Sequence, residues 1–106
     1  MGVFSAHAES KMDEGVRAAG ADARATLVDV REPDEFASGH VPGAINVPLS
    51  VFAEITRVAP DVSAPLYLYC ASGTRSDRAA QVLAQAGYQY AHSIGGMQTY
   101  TGPIKY

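Results

Sequence analysis

The sequence predicts an α/β domain in which a largely parallel sheet is covered by helices on both faces. Three observations predict it. Short apolar, β-branched runs alternate with stretches of helical periodicity, as in repeated βαβ units. The chain has 106 residues, 47% hydrophobic and 18% charged, enough for one hydrophobic core and too few for two. No repeat, low-complexity segment or linker divides it, so residues 1–106 read as a single domain.

The first helix is expected over Met12 to Ala19. Asp13 and Glu14 suit its first turn, Val16 and Ala19 share a face, and Gly20 stops it. Thr26 to Val30 is a compact β-branched run, ended by Arg31-Glu32, and reads as a buried strand. Pro33 fits the first position of a short helix, with Asp34 and Glu35 at the positive end of its dipole and Ser38-Gly39 closing it. His40-Val41-Pro42-Gly43 is a turn, and Ala44 to Val47 a second strand that ends at Pro48.

Ser50 to Val58 is expected as a helix with Ser50 as its N-cap and Val51, Ile55 and Val58 on its buried face, followed by a loop between Pro60 and Pro65. Leu66 to Tyr69 is the strongest strand signal, with Tyr67 and Tyr69 alternating with leucines. The next helix, beginning near Arg75, places Ala79, Val82, Leu83 and Ala86 at i, i+3, i+4 and i+7, with Gly87 at C′. Tyr90 to Ile94 reads as the last strand. Gly95-Gly96 then marks a loop that must bend sharply or lie close to another segment.

Eight Lys and Arg against eleven Asp and Glu give a net charge of −3, so the overall field does not draw nucleic acid or an acidic membrane. Any anion must be held by local geometry. One Cys cannot form an intramolecular disulfide, and with His7, His40 and His92 scattered it makes no zinc cluster. No metal or organic cofactor is expected. Met1 to Lys11 has no apolar core of a secretory signal, Ala6 spoils a myristoylation motif after Met1-Gly2, and no run approaches eighteen apolar residues. A cytoplasmic, soluble protein is the expectation.

In open parallel sheets, ligands sit beyond the carboxyl ends of the strands. Cys70 falls at such an end, followed by Ala71-Ser72-Gly73-Thr74-Arg75 and a helix. Small residues, a permissive Gly and several N–H groups without strand or helix partners can curl round an anion, and the helix dipole is aimed at the same place. There a thiol is expected to ionise and act as a nucleophile without a histidine base. A lone Cys after an apolar strand is often only a small buried hydrophobe. The flanking amide-rich loop argues for the nucleophile, because a structural Cys has no need of it.

Leu27 to Phe36, Gly39 to Pro48, Tyr69 to Ser76 and Gly95-Gly96 together resemble the rhodanese family, with its four signatures in order between about Thr26 and Tyr100. The resemblance implies the rhodanese-like three-layer fold, a five-stranded, mostly parallel sheet with helices on both faces, and a Cys70 that becomes a persulfide during turnover. Four residues lie between Cys70 and Arg75, whereas related phosphatases and arsenate reductases have five, a spacing that suits sulfur better than phosphate.

On this resemblance Cys70 is the catalytic residue, and the backbone amides of Ala71, Ser72, Gly73, Thr74 and Arg75 bind the substrate. Asp29 and Arg31 brace the loop. Arg75 either contacts the incoming anion or pairs with a carboxylate such as Asp29. His40 is read as a structural hydrogen-bonding residue, and His7 and His92 carry no motif. Ala71 and Ser72 stand where many thiosulfate-using members have basic residues, which leaves thiosulfate, mercaptopyruvate and a protein persulfide open as donors. Tyr100 stands where the family usually has Trp.

The expected function is a sulfurtransferase that moves sulfane sulfur from a small donor anion, thiosulfate or similar, to a thiol or cyanide acceptor, a protein thiol included. The rival is a sulfur-relay or protein-binding module of the same fold with little turnover on free thiosulfate. Phosphatase-like hydrolysis in the same cradle is a third reading. Neither nucleic acid nor membrane is an expected partner.

Overall fold

A computed structural model describes residues 9–106; His7 and the expectations drawn from Met1-Gly2 lie outside the described residues. The elements are α1 (Lys11–Gly20), β1 (Thr26–Asp29), α2 (Pro33–Ala37), β2 (Ile45–Asn46), α3 (Ile55–Val58), β3 (Leu66–Cys70), α4 (Thr74–Gln85) and β4 (Ala91–Gly96), with 3₁₀ turns over Leu49–Glu54 and Met97–Thr99. All strand pairings are parallel, in the order β2-β1-β3-β4. Among the described residues the sheet thus has four strands where the resemblance implied five. Four is also the number of β-branched or apolar runs the sequence contains between Thr26 and Ile94.

Alternation along the strands sorts the core into two layers. Val28, Val30, Leu66, Leu68 and Cys70 face one side, where Phe52, Ile55, Ala79, Leu83 and Tyr88 cover them. Tyr69 and Ile94 face the other side and pack with Met12 and Val41. The result is the expected three layers, with α3 and α4 on one face of the sheet and α1 on the other. Among the described residues no helix is long and apolar enough to cross a membrane.

α1 starts where Ser10 Oγ accepts the N–H of Asp13 at 3.0 Å, satisfying one of the free donors of the first turn. α4 ends in a Schellman motif: Tyr88 N–H reaches the Leu83 carbonyl at 3.0 Å, Gly87 N–H reaches that of Ala84 at 3.2 Å, and Gly87 has φ +99°. Ala79 and Leu83 are buried as the spacing predicts, but Val82 and Ala86 are exposed and Ser76 takes the remaining buried position.

Two expectations are corrected. The segment from 50 to 58 is not one helix capped by Ser50. A 3₁₀ turn over Leu49–Glu54 kinks at Val51 (φ −130°, ψ 41°) before α3 begins. Ser50 instead donates its hydroxyl to the Glu32 carboxylate at 3.0 Å. Val51 consequently points to solvent, and Phe52 joins Ile55 in the core. Gly95-Gly96, expected as a loop, ends β4. The ladder skips Ile94 between the pairs Leu68–Ser93 and Tyr69–Gly95, so β4 bulges, with Gly95 at φ +111°.

Gly15 is where α1 meets β4. A Cβ there would lie inside the van der Waals radius of the Ile94 side chain, including its Cβ, which cannot swing away. Gly15→Ala is therefore expected to cost about 1–2 kcal/mol, overpacking outweighing the gain in helix propensity. Chemical denaturation of the two proteins measures it.

Candidate active site

β3 ends in Cys70, and the chain turns through Ala71, Ser72 and Gly73 into α4. Gly73, at φ +110°, is the residue that makes this turn, a conformation L side chains rarely adopt. The turn brings Gly73 N–H to 3.0 Å from Cys70 Sγ. The N–H groups of Ser76 and Arg75, in the first turn of α4, also favour the ionised sulfur. Cys70 is only 1% exposed, so its sulfur sits deep in the cradle. Burial pushes the thiol up, but the donors of Ser76, Gly73 and Arg75 outweigh it and hold Cys70 below the ordinary thiol value.

Around Sγ itself the donors come from Gly73 and the first turn of the helix. Ser76, which the sequence marks only as the end of the motif, adds an N–H, and its hydroxyl oxygen accepts from the Cys70 thiol at 3.8 Å. Its signal was present in the sequence: three residues beyond Gly73, it falls on the first-turn face that looks back at Cys70. Ala71 offers its carbonyl to Gln98 N–H at 3.0 Å, and Ser72 is exposed. Ala71 also lies against β4, for a Cβ on Gly96 would collide with the carbonyls of Ala71 and Cys70. Gly96 is needed for this approach of strand to loop, and Gly95 for the φ of +111° beside it.

Arg75 does not pair with Asp29. It makes a two-pronged ion pair with Glu35 of α2, at 2.7 and 3.0 Å. Asp29 is unavailable because Arg31 saturates it, with Nε 3.1 Å from both carboxylate oxygens, a terminal nitrogen at 2.7 Å and the Arg31 N–H at 2.9 Å. The same guanidinium donates to the Gly39 carbonyl at 2.7 Å. The side-chain amide of Asn46 donates to the carbonyls of Asp29 and Arg31, both at 2.9 Å. Asp29 and Arg31 thus hold together the segment that carries α2, and their link to the cradle runs through Glu35 and Arg75.

His40 has its Nδ1 2.8 Å from the Phe36 carbonyl and its ring stacked on Phe36 at 3.6 Å, a structural arrangement. His92 lies 4.9 Å from the Tyr67 ring, away from the cradle. Tyr100 donates its hydroxyl to the Pro103 carbonyl at 2.6 Å. Among the described residues no three His, Cys, Asp or Glu side chains group as a metal site.

The Arg75 guanidinium, helped by the Glu32 N–H, lowers the Glu35 carboxyl from the ordinary 4.5 to about 2. A lowered carboxylate stabilises the fold above its unfolded value and ceases to do so as pH falls through the folded one. Glu35→Gln should therefore cost about 1 kcal/mol near neutrality, allowing for solvent screening of a part-exposed pair. The gap between the two proteins should close as pH falls from about 4.5 to about 2. Denaturation followed across that range tests the sign.

The family described as the rhodanese-like domain matches residues 12–102. The uncharacterized protein YqhL of Bacillus subtilis is 42% identical over 83 residues, covering 77% of this chain and 65% of that protein, so the chain spans less than two thirds of it. The thiosulfate sulfurtransferase PspE of Escherichia coli is 35% identical over 77 residues, 72% of this chain and 74% of that one. A solved rhodanese with anions from E. coli superposes with a TM-score of 0.72 at 32% identity, covering 76% of this chain and 96% of that chain. With the match running from α1 into the carboxyl-terminal tail, and the sulfur-bearing loop inside it, the chain belongs to the rhodanese-like domain family.

Proposed function

We propose that this protein is a sulfurtransferase that carries sulfane sulfur as a persulfide on Cys70. The observation that carries the reading is a buried sulfur at the start of a helix with Gly73 N–H 3.0 Å away, where the main-chain N–H groups of Ser76 and Arg75 also favour its ionised form. Amides fixed by a helix start and a left-handed Gly need no reorganisation when charge arrives. Membership of the family and the likeness to an E. coli thiosulfate sulfurtransferase support the same reaction class.

In the loading step the Cys70 thiolate attacks the outer sulfur of thiosulfate. A new S–S bond forms, the sulfur–sulfur bond of the donor breaks, and sulfite leaves with the electron pair. The terminal persulfide sulfur is held by the amides that follow Cys70. In the second step a thiolate or cyanide attacks that sulfur, and Cys70 departs as the thiolate it was. Loss of one such donor costs roughly 2.7–4 kcal/mol in other enzymes, which sets the scale of the cradle's contribution. No metal or organic cofactor enters either step.

A second reading, a sulfur-relay module loaded by a partner protein, is favoured by one observation. Arg75, the cation of the loop, is engaged by Glu35, and Ala71 and Ser72 add no positive charge for a free dianion.

Incubation with thiosulfate is expected to add about 32 Da, one sulfur atom, to the Cys70 peptide, and thiocyanate should form when cyanide is the acceptor. Cys70→Ser should abolish both. Thiocyanate formed at equal rates by wild type and variant would overturn the assignment of Cys70. A mass gain from a protein persulfide but none from thiosulfate would favour the relay.

A further inference from the structure

From Cys70 a chain of hydroxyls runs to the surface. Ser76 Oγ lies 3.8 Å from Cys70 Sγ and 2.8 Å from Ser93 Oγ on β4. Ser93 donates to Asp77 Oδ1 at 2.6 Å. Ser76 is buried, Ser93 half-buried and Asp77 exposed. An ionised carboxylate only accepts, so Ser93 commits its one hydroxyl proton to Asp77 and can meet Ser76 only as an acceptor. Ser76 also has one hydroxyl proton. Its nearest acceptors are Ser93 Oγ and the Gly73 carbonyl at 3.0 Å, both closer than the sulfur. What Ser76 Oγ then turns toward Cys70 is a lone pair.

We propose that Asp77 and Ser93 are positioning residues for Cys70, holding the Ser76 hydroxyl turned away from the sulfur and so restraining the thiolate. The proposal rests on the reading of Cys70 as the reacting sulfur. Its chemical sense lies in the balance a sulfur nucleophile needs. Nucleophilicity falls as thiol pKa falls, and the best attacking thiol has a pKa near the ambient pH. The main-chain donors of Gly73, Arg75 and Ser76 and the nearby Arg75 charge already favour the anion. A further hydroxyl donor would push the sulfur toward a more populated but less reactive thiolate. The charged groups bearing on Cys70 are Arg75 with its partner Glu35, and Asp77 at the far end of the chain; neither Ser93 nor Ser76 carries charge, so their effect is one of direction.

The test reads Cys70 alone, because it is the only cysteine in the chain. The rate of its alkylation by iodoacetamide is followed against pH for wild type, Ser93→Ala, Asp77→Ala, Ser76→Ala and the Ser76→Ala/Ser93→Ala pair. Ser93→Ala and Asp77→Ala should each lower the apparent pKa of Cys70 by about 0.5 to 1, the worth of one redirected hydrogen bond. In the Ser76→Ala background, Ser93→Ala should have no effect. An unchanged or raised pKa in both single variants overturns the proposal, as does an equal Ser93→Ala shift with and without the Ser76 hydroxyl. Should Ser93→Ala not fold, Asp77→Ala and its pair with Ser76→Ala replace it, and only the part of the Asp77→Ala shift that disappears without the Ser76 hydroxyl counts for the proposal, the remainder being the lost carboxylate charge. Alkylation needs no sulfur donor, so a failure of Cys70 to take up sulfur would count against the proposed function and leave these readings standing.

Discussion

A sulfur atom removed from water and faced by main-chain N–H groups is held comfortably only if it accepts from them, and the surroundings of Cys70 are arranged around that condition. The end of β3, the left-handed Gly73 and the first turn of α4 all converge on one atom. The donors are those every helix leaves free at its start. Here the chain supplies the acceptor internally, six residues upstream of Ser76, and the same donors that cap the helix lower the thiol. Local folding and chemical reactivity are therefore one interaction seen from two sides.

That cradle is kept in shape from outside by two contacts of different kinds. On one flank β4 comes so close that Gly96 must lack a side chain against Ala71, which leaves the loop little room to open. On the other, the Arg75–Glu35 pair ties the head of α4 to α2, and α2 is itself fastened to the sheet by the buried Asp29–Arg31 pair and by the carbonyl of Gly39. The consequence is electrostatic as well as mechanical. The guanidinium beside the cradle is largely neutralised by its partner, so main-chain dipoles rather than free cations dominate the field at the sulfur. A site of that character stabilises charge that develops on a bound atom more than it attracts a free anion from a distance.

The hydroxyl chain from Ser76 through Ser93 to Asp77 adds a third influence. It brings no charge into the core, and it joins a buried sulfur to an exposed carboxylate through groups whose only freedom is which way they point. In a close-packed interior, direction is what such groups have to offer.

Much of this was legible in the residues. The alternation of strand and helix, Pro33 opening α2, Gly87 ending α4 and the position of Cys70 at a strand's carboxyl end depend on backbone preferences and periodicities that act within a few residues. The fold class and the sulfur-bearing loop follow from them. The segment after Pro48 was misread because Val51, Ile55 and Val58 are spaced for a helix, whereas Ser50 is drawn to Glu32, eighteen residues earlier, and the turn tightens. That Arg75 could pair with a carboxylate was legible, but which one was not: Arg31 takes up Asp29, and the docking of α2 brings Glu35 to Arg75. Whatever depended on contacts between neighbours in the chain could be read in advance. Which carboxylate meets which guanidinium, which glycine must be bare, and which way a serine hydroxyl points were decided by segments far apart in sequence, because a charged or polar group takes the partner that packing brings to it.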